Sequence, residues 1–139
     1  MASFEGVMRT NYFHVKDADA FFRFIDEVET DVGKLQLLKK GNVADDLFGF
    51  GCYGEILGVK NPETDGADYD AFLSQLQEHV VDGECIILIQ IGHEKLNYVV
   101  GRATIITPET IVTEDISSTA LVKARATLHN PEYNTELDY

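Results

Sequence analysis

Basic residues are scarce in this 139-residue sequence: 11 Lys and Arg stand against 24 Asp and Glu, a formal net charge of −13. A field of that sign repels nucleic acid, because binding a polyanion requires cations that displace its counterions. It also repels an anionic membrane surface. Direct nucleic-acid binding and membrane binding are therefore not expected, and a macromolecular partner is expected to be basic. Acidity also serves solubility in many cytosolic proteins, so charge by itself names no partner. Cysteine is scarce too. Cys52 and Cys85 show no CxxC spacing and make no disulfide framework. Cys85 opens an apolar run and reads as a small buried hydrophobe. No apolar stretch reaches the roughly 18 residues of a membrane span. Met1 to Val7 lacks a basic region followed by an apolar one, so no secretory signal is expected and the chain is placed in the cytoplasm.

What remains is ordinary globular composition, 45% hydrophobic and 25% charged. The length suits one domain over residues 1–139, burying about 68% of its unfolded surface without disulfide, metal or cofactor. Residues 1–7 read as a loose N-terminal extension, with Met8 a second candidate start, and 132–139 as a polar C-terminal tail.

Along the chain, Asn11 to Val15 (NYFHV) is aromatic and reads as a first strand. Asp17 is placed to cap a helix whose Phe21, Ile25 and Val28 share one face, with Gly33 as a stop. Lys34 to Lys40 suggests a short strand and Gly41 to Asp46 a turn. Leu47 to Ile56 reads as a glycine-rich strand that bulges or is closely approached by another backbone. After the loop Asn61 to Ala67, Asp68 is placed to cap a second helix through Val80, striped by Phe72, Leu73, Leu76 and Val80. Cys85 to Ile91 (CIILIQI) is too apolar for an exposed strand and is expected at the centre of the sheet. Gly92 to Lys95 joins it to a strand from Leu96 to Thr107, Thr110 to Ile116 follows, and Ser117 or Ser118 caps a last helix ending near Asn130-Pro131. The order β-α-β-β-α-β-β-β-α predicts an α+β fold. It has two layers: a mostly antiparallel sheet of five to six strands, and about three helices.

The chemical motifs are weak. Gly49, Gly51 and Gly54 match G-x-G-x-x-G, but Gly58 and Asn61-Pro62 leave no room for the helix that must follow a phosphate cradle. The glycines then serve packing. His93-Glu94-Lys95-Leu96-Asn97 resembles H-E-x-x-H, but Asn97 stands where the second histidine is needed, so no metal site is expected. His14, His79 and His129 share no ligand spacing, and neither a nucleophile elbow nor a Walker loop is present. No catalytic residue is assigned, and the chain leans away from an enzyme. Glu94, Lys95 and Tyr98, with Tyr53, form one candidate pocket, because recognition residues concentrate on loops.

Acid placement is the strongest signal. Between Lys60 and Lys95 the sequence contains neither Lys nor Arg. The proposed partner-binding residues there are Glu63, Asp65, Asp68, Asp70, Glu78, Asp82 and Glu84. Duplex DNA carries one charge per roughly 1.7 Å of axis, and carboxylates spaced comparably compete for a DNA-binding groove. The plainer reading is a solvated face, with Asp17, Asp19, Asp68 and Asp70 favoured by helix dipoles.

Met8 to Val15 (MRTNYFHV), Phe48 to Gly54 (FGFGCYG), Gly92 to Gly101 (GHEKLNYVVG) and the ending from Asn130-Pro131 to Asp138-Tyr139 carry a resemblance. Together they span most of the chain, which resembles a family of small bacterial proteins associated with conjugative and phage-related mobile elements. The resemblance implies no catalytic residue. It does imply an accessory or anti-defence setting, such as inhibition of a CRISPR or restriction nuclease.

Three functions are thus carried forward. The first is a non-enzymatic acidic protein, a DNA mimic or anti-CRISPR inhibitor, that engages a basic nucleic-acid-handling protein by charge complementarity. The second is a small-molecule or nucleotide site, or minor enzyme, at the glycine-rich strand and hairpin. The third is a structural oligomerising domain with a sheet shared through Cys85 to Ile91.

Overall fold

The computed structural model describes residues 4–41, 46–96 and 98–136. In chain order the elements are β1 (Glu5–Thr10), α1 (Ala18–Asp26), β2 (Glu29–Thr30), β3 (Gly33–Lys34), β4 (Gln36–Lys40), β5 (Leu47–Tyr53), β6 (Ile56–Lys60), β7 (Ala67–Asp68), α2 (Tyr69–Gln77), β8 (Ile86–Glu94), β9 (Tyr98–Ile106), β10 (Ile111–Asp115) and α3 (Ile116–Leu128). Six strands form one sheet, β10-β9-β8-β1-β5-β4, and four short ones form a second, β3-β2-β6-β7. Strand pairings among the described residues are antiparallel. The expected α+β class holds, with six strands in the main sheet and three helices. The second sheet was not foreseen.

The first strand is displaced from its expected place. It runs over Glu5–Thr10, in the middle of the sheet between β5 and β8. Glu5, Gly6 and Val7 are therefore strand residues rather than a loose extension, while residues 1–3 lie outside the described residues. Met8 and Thr10 turn inward and are buried, which is the period of two that fixes a strand's faces. Asn11 to Val15 leaves the strand, with isolated bridges from Phe13 to Phe48 of β5 and from Val15 to Val80 beyond α2. Asn11 marks the departure. Its side-chain amide donates to the Cys85 carbonyl at 3.2 Å, and its oxygen accepts from the Ile87 amide at 2.8 Å.

Both main helices start at the expected caps. Asp17 accepts from the Ala20 amide at 3.2 Å, and Asp68 from the Ala71 amide at 3.0 Å. Phe21, Phe24 and Ile25 of α1 and Phe72, Leu73 and Leu76 of α2 are buried. Both helices end before the expected residues. α1 closes at Asp26 and α2 at Gln77, so Val80 belongs to the bridge with Val15 and Gly33, at φ 117°, to the β2–β3 turn. The last helix is capped by Asp115, whose carboxylate accepts from the Ser117 amide at 2.9 Å, not by Ser117 or Ser118. β10 ends at Asp115, so the helix begins as soon as the strand stops.

The core is aromatic. Phe13 meets Phe21 edge-on at 5.7 Å and Phe50 at 6.3 Å, and Phe24 stacks on Phe72 at 5.9 Å. These rings, with Met8, Ile86, Leu88 and Ile106, fill the space between the inner face of the six-stranded sheet and the two helices. The glycines serve this packing. Gly54 sits at φ 80°, where the chain swings from β5 into β6. A Cβ on Gly58 would enter the backbone of Asp68, so β6 needs glycine to pass the start of α2. The G-x-G-x-x-G run thus leads into a strand and not into a helix. Residues 42–45 of the expected turn lie outside the described residues.

Candidate binding surfaces

α1 and α2 lie side by side, joined by the Phe24–Phe72 stack and by His79, whose ring is 5.2 Å from Phe24 and 5.7 Å from Phe21. Burial between these rings lowers the His79 pKa from its ordinary value. With their inner sides fixed on the core, the helices turn Asp19, Asp26 and Asp70 outward, and Glu78 follows at the end of α2, all exposed. Glu27 and Asp82 continue the exposed acids beyond the helix ends. Arg23 is the one cation in the two helices.

The seven acids singled out from sequence divide into two kinds. Glu63, Asp65, Asp70, Glu78 and Asp82 are exposed. Asp68 and Glu84 are half-buried and hold the fold together. Asp68 caps α2 and accepts from the Asn61 side chain at 3.1 Å. Glu84 accepts from the His14 amide at 3.1 Å and meets its ring Nδ1 at 2.8 Å. Asp65 pairs with Lys60 at 3.0 Å, and on the α1 side Asp26 pairs with Lys34 at 3.2 Å. Exposed pairs of this kind contribute little stability, with a median near 0–1 kcal/mol.

Tyr53, Glu94, Lys95 and Tyr98 are not brought together. Tyr53 pairs with Val7 and lies on the outer face of the sheet, away from the helices, 69% exposed. Glu94 and Tyr98 pair with each other at the end of the β8–β9 hairpin and face the inner side, where Tyr98 contacts Phe4 at 6.0 Å. Lys95 occupies the hairpin turn at φ 53°.

The outer face is the feature the sequence reading missed. Cys85 to Ile91 does supply a central strand, but only one of its faces is covered: Ile86 and Leu88 are buried, whereas Ile89 and Ile91 are 49% and 54% exposed. Shallow depressions cross this face without a break. One of about 410 Å³ is lined by Val7, Ile87, Ile89 and Ile91 together with Arg9, Thr10 and Asn11. Another of about 270 Å³ lies between Ile89, Ile91, Ala103 and the start of α3. A third of about 180 Å³ lies between Val7, Leu38 and Tyr53. The available signal was the run of consecutive apolar residues itself, which demands cover on two sides.

Chemically the surfaces are quiet. Burial pushes the Cys52 thiol up to about 11 and raises the Tyr69 hydroxyl above its usual range. Among the described residues no three His, Cys, Asp or Glu side chains are grouped to hold a metal ion. No helix among them is long and apolar enough to cross a membrane. No family model, curated protein or solved structure matches this chain.

Proposed function

We infer that this chain is a non-enzymatic binding protein whose helix layer engages a basic, nucleic-acid-handling protein. One observation carries the reading: α1 and α2 meet through the Phe24–Phe72 stack and expose Asp19, Asp26 and Asp70, with Arg23 the one cation inside the two helices and Lys34 paired to Asp26 at the edge. Such a layer attracts the cationic groove of a nuclease or similar protein over a distance of about a Debye length, roughly 8–10 Å at physiological salt. Attraction of this kind speeds encounter and excludes acidic competitors. The mobile-element setting implied by the sequence resemblance fits an accessory or anti-defence role of that sort. The small-molecule reading is less favoured, since Tyr53 and Tyr98 stand on opposite faces of the sheet.

The test is capture of host proteins at low and high salt by the wild type and by a variant carrying Asp19→Asn, Asp70→Asn and Glu78→Gln. The wild type is expected to retain a basic protein at low salt and release it at high salt. The variant should associate on the order of tenfold more slowly. Recovery of no basic protein at either salt, or equal capture by the variant, refutes the assignment.

A further inference from the structure

The outer sheet face lies opposite the helix layer, and we propose that it pairs two copies of this chain, with α3 of each copy lying across the outer face of the other. The sheet contributes Val7, Ile89, Ile91, Val99 and Val112, between 36% and 61% exposed. They stand on the adjacent strands β1, β8, β9 and β10, and the pairings Val7 to Ile91 and Ile89 to Ala103 place them on one face. The charged side chains of this face are Glu5 and Glu114 near its margins and Arg9 beside Ile89.

The helix supplies the complement. α3 has 13 residues and buries none of them, leaving Ile116, Val122 and Leu128 between 55% and 65% exposed. An isolated helix of this length is marginal in water, because most helical stability comes from packing of an apolar side. Its own chain touches it at the root, where Ile116 sits over Gly101, and near the end, where Arg125 Nε donates to the Tyr133 carbonyl at 2.7 Å. A cover from elsewhere is therefore required.

Area favours a second copy as that cover. Residues 116–131 contain Lys123 and Arg125 and no acid. The rest of the chain holds the other 9 cations (11 less 2) and all 24 acids, a balance of −15. The helix is thus the basic part of an acidic chain, but Arg9 stands beside Ile89 on the receiving face, so apolar area and not charge selects the second copy. At about 1.5 Å per residue the helix is about 20 Å long, and three strand spacings of about 4.8 Å make the apolar strip about 14 Å wide. One helix therefore spans the strip. A two-fold axis satisfies both surfaces at once, since each copy offers a sheet and a helix. The eight side chains named, each about half exposed, leave on the order of 400 Å² of apolar surface per copy, taking ~100 Å² for a whole aliphatic side chain. A standard interface buries about 800 Å² per partner, about 65% of it apolar in homodimers, or ~500 Å². The two surfaces together approach that requirement, and neither does alone.

Sedimentation of the full chain over a dilution series tests this. The expected result is a dimer at micromolar concentration that added salt does not weaken, because salt screens the repulsion between two chains of charge −13 and leaves apolar contact intact. Ile89→Glu and Val122→Glu should each raise the dissociation constant at least about 100-fold by burying a charge in the contact. Both positions are exposed in the single chain, so each variant should keep the wild-type circular dichroism spectrum. A wild type that stays monomeric at every concentration overturns the proposal. So does a dimer that survives either substitution. The salt response separates this surface from the helix layer: salt should release the basic partner and leave the dimer, and an intact dimer that captures no basic protein even at low salt refutes the functional assignment alone.

Discussion

Thr10→Val tests where the first strand ends and what replaces it. Thr10 is 4% exposed, and its Oγ1 accepts from the Phe50 amide at 3.0 Å while donating to the Asn11 carbonyl at 2.8 Å. The chain leaves the sheet at Asn11, so the threonine hydroxyl satisfies a β5 amide at the point where β1 departs. Valine keeps the shape and removes the hydroxyl. Phe50 N–H is then buried without a partner, at a cost of about 1–3 kcal/mol. At about 2.1 cal/mol/K per residue, 139 residues carry an unfolding entropy near 0.3 kcal/mol/K. A loss of about 2 kcal/mol therefore lowers Tm by about 7 °C. Urea unfolding of wild type, Thr10→Val and Thr10→Ser supplies the measurement. Serine keeps the hydroxyl and loses a methyl group, so its loss should come without an orphaned amide, and the Phe50 amide should stay protected from hydrogen exchange. A Thr10→Val protein within about 0.5 kcal/mol of wild type, with Phe50 still protected, would show that the hydroxyl does not close the ladder.

Two further outcomes follow from buried groups. With its thiol pushed up to about 11, Cys52 should be thiolate in only about one molecule in a thousand at pH 8, so native Cys52 should resist alkylation until urea unfolds the chain; rapid labelling of Cys52 in the folded protein would contradict its burial. Because burial lowers the His79 pKa, the unfolded chain takes up the proton first as pH falls through the ordinary value of 6.5. Stability should therefore drop below that pH and be unaffected by this group above it. His79→Phe should flatten that drop in urea unfolding at pH 7 and 5.5; an unchanged slope would remove His79 as its source.

Much of the fold was legible locally. Asp17 and Asp68 announce α1 and α2 because a cap is a contact between residues three apart. The β8–β9–β10 run was readable as consecutive strands with short turns. The four-stranded sheet was not, since β2, β3 and β7 have two residues each and cannot display a period. The first strand was misplaced because NYFHV has stronger β propensity than EGVMRT. The structure uses those aromatics to fill the core, and Phe13 is 1% exposed.

The candidate surfaces divide along the same line. The sequence by itself determined the charge, the acidic stretch after Lys60 and the apolar composition of Cys85 to Ile91. Only the tertiary structure decided which carboxylates are free to act, since Glu84 is engaged by a histidine 70 residues away. It alone left one face of β8 bare and left α3 with no fully buried residue. Charge and hydropathy are properties of each residue, whereas exposure depends on which distant segments arrive to cover it.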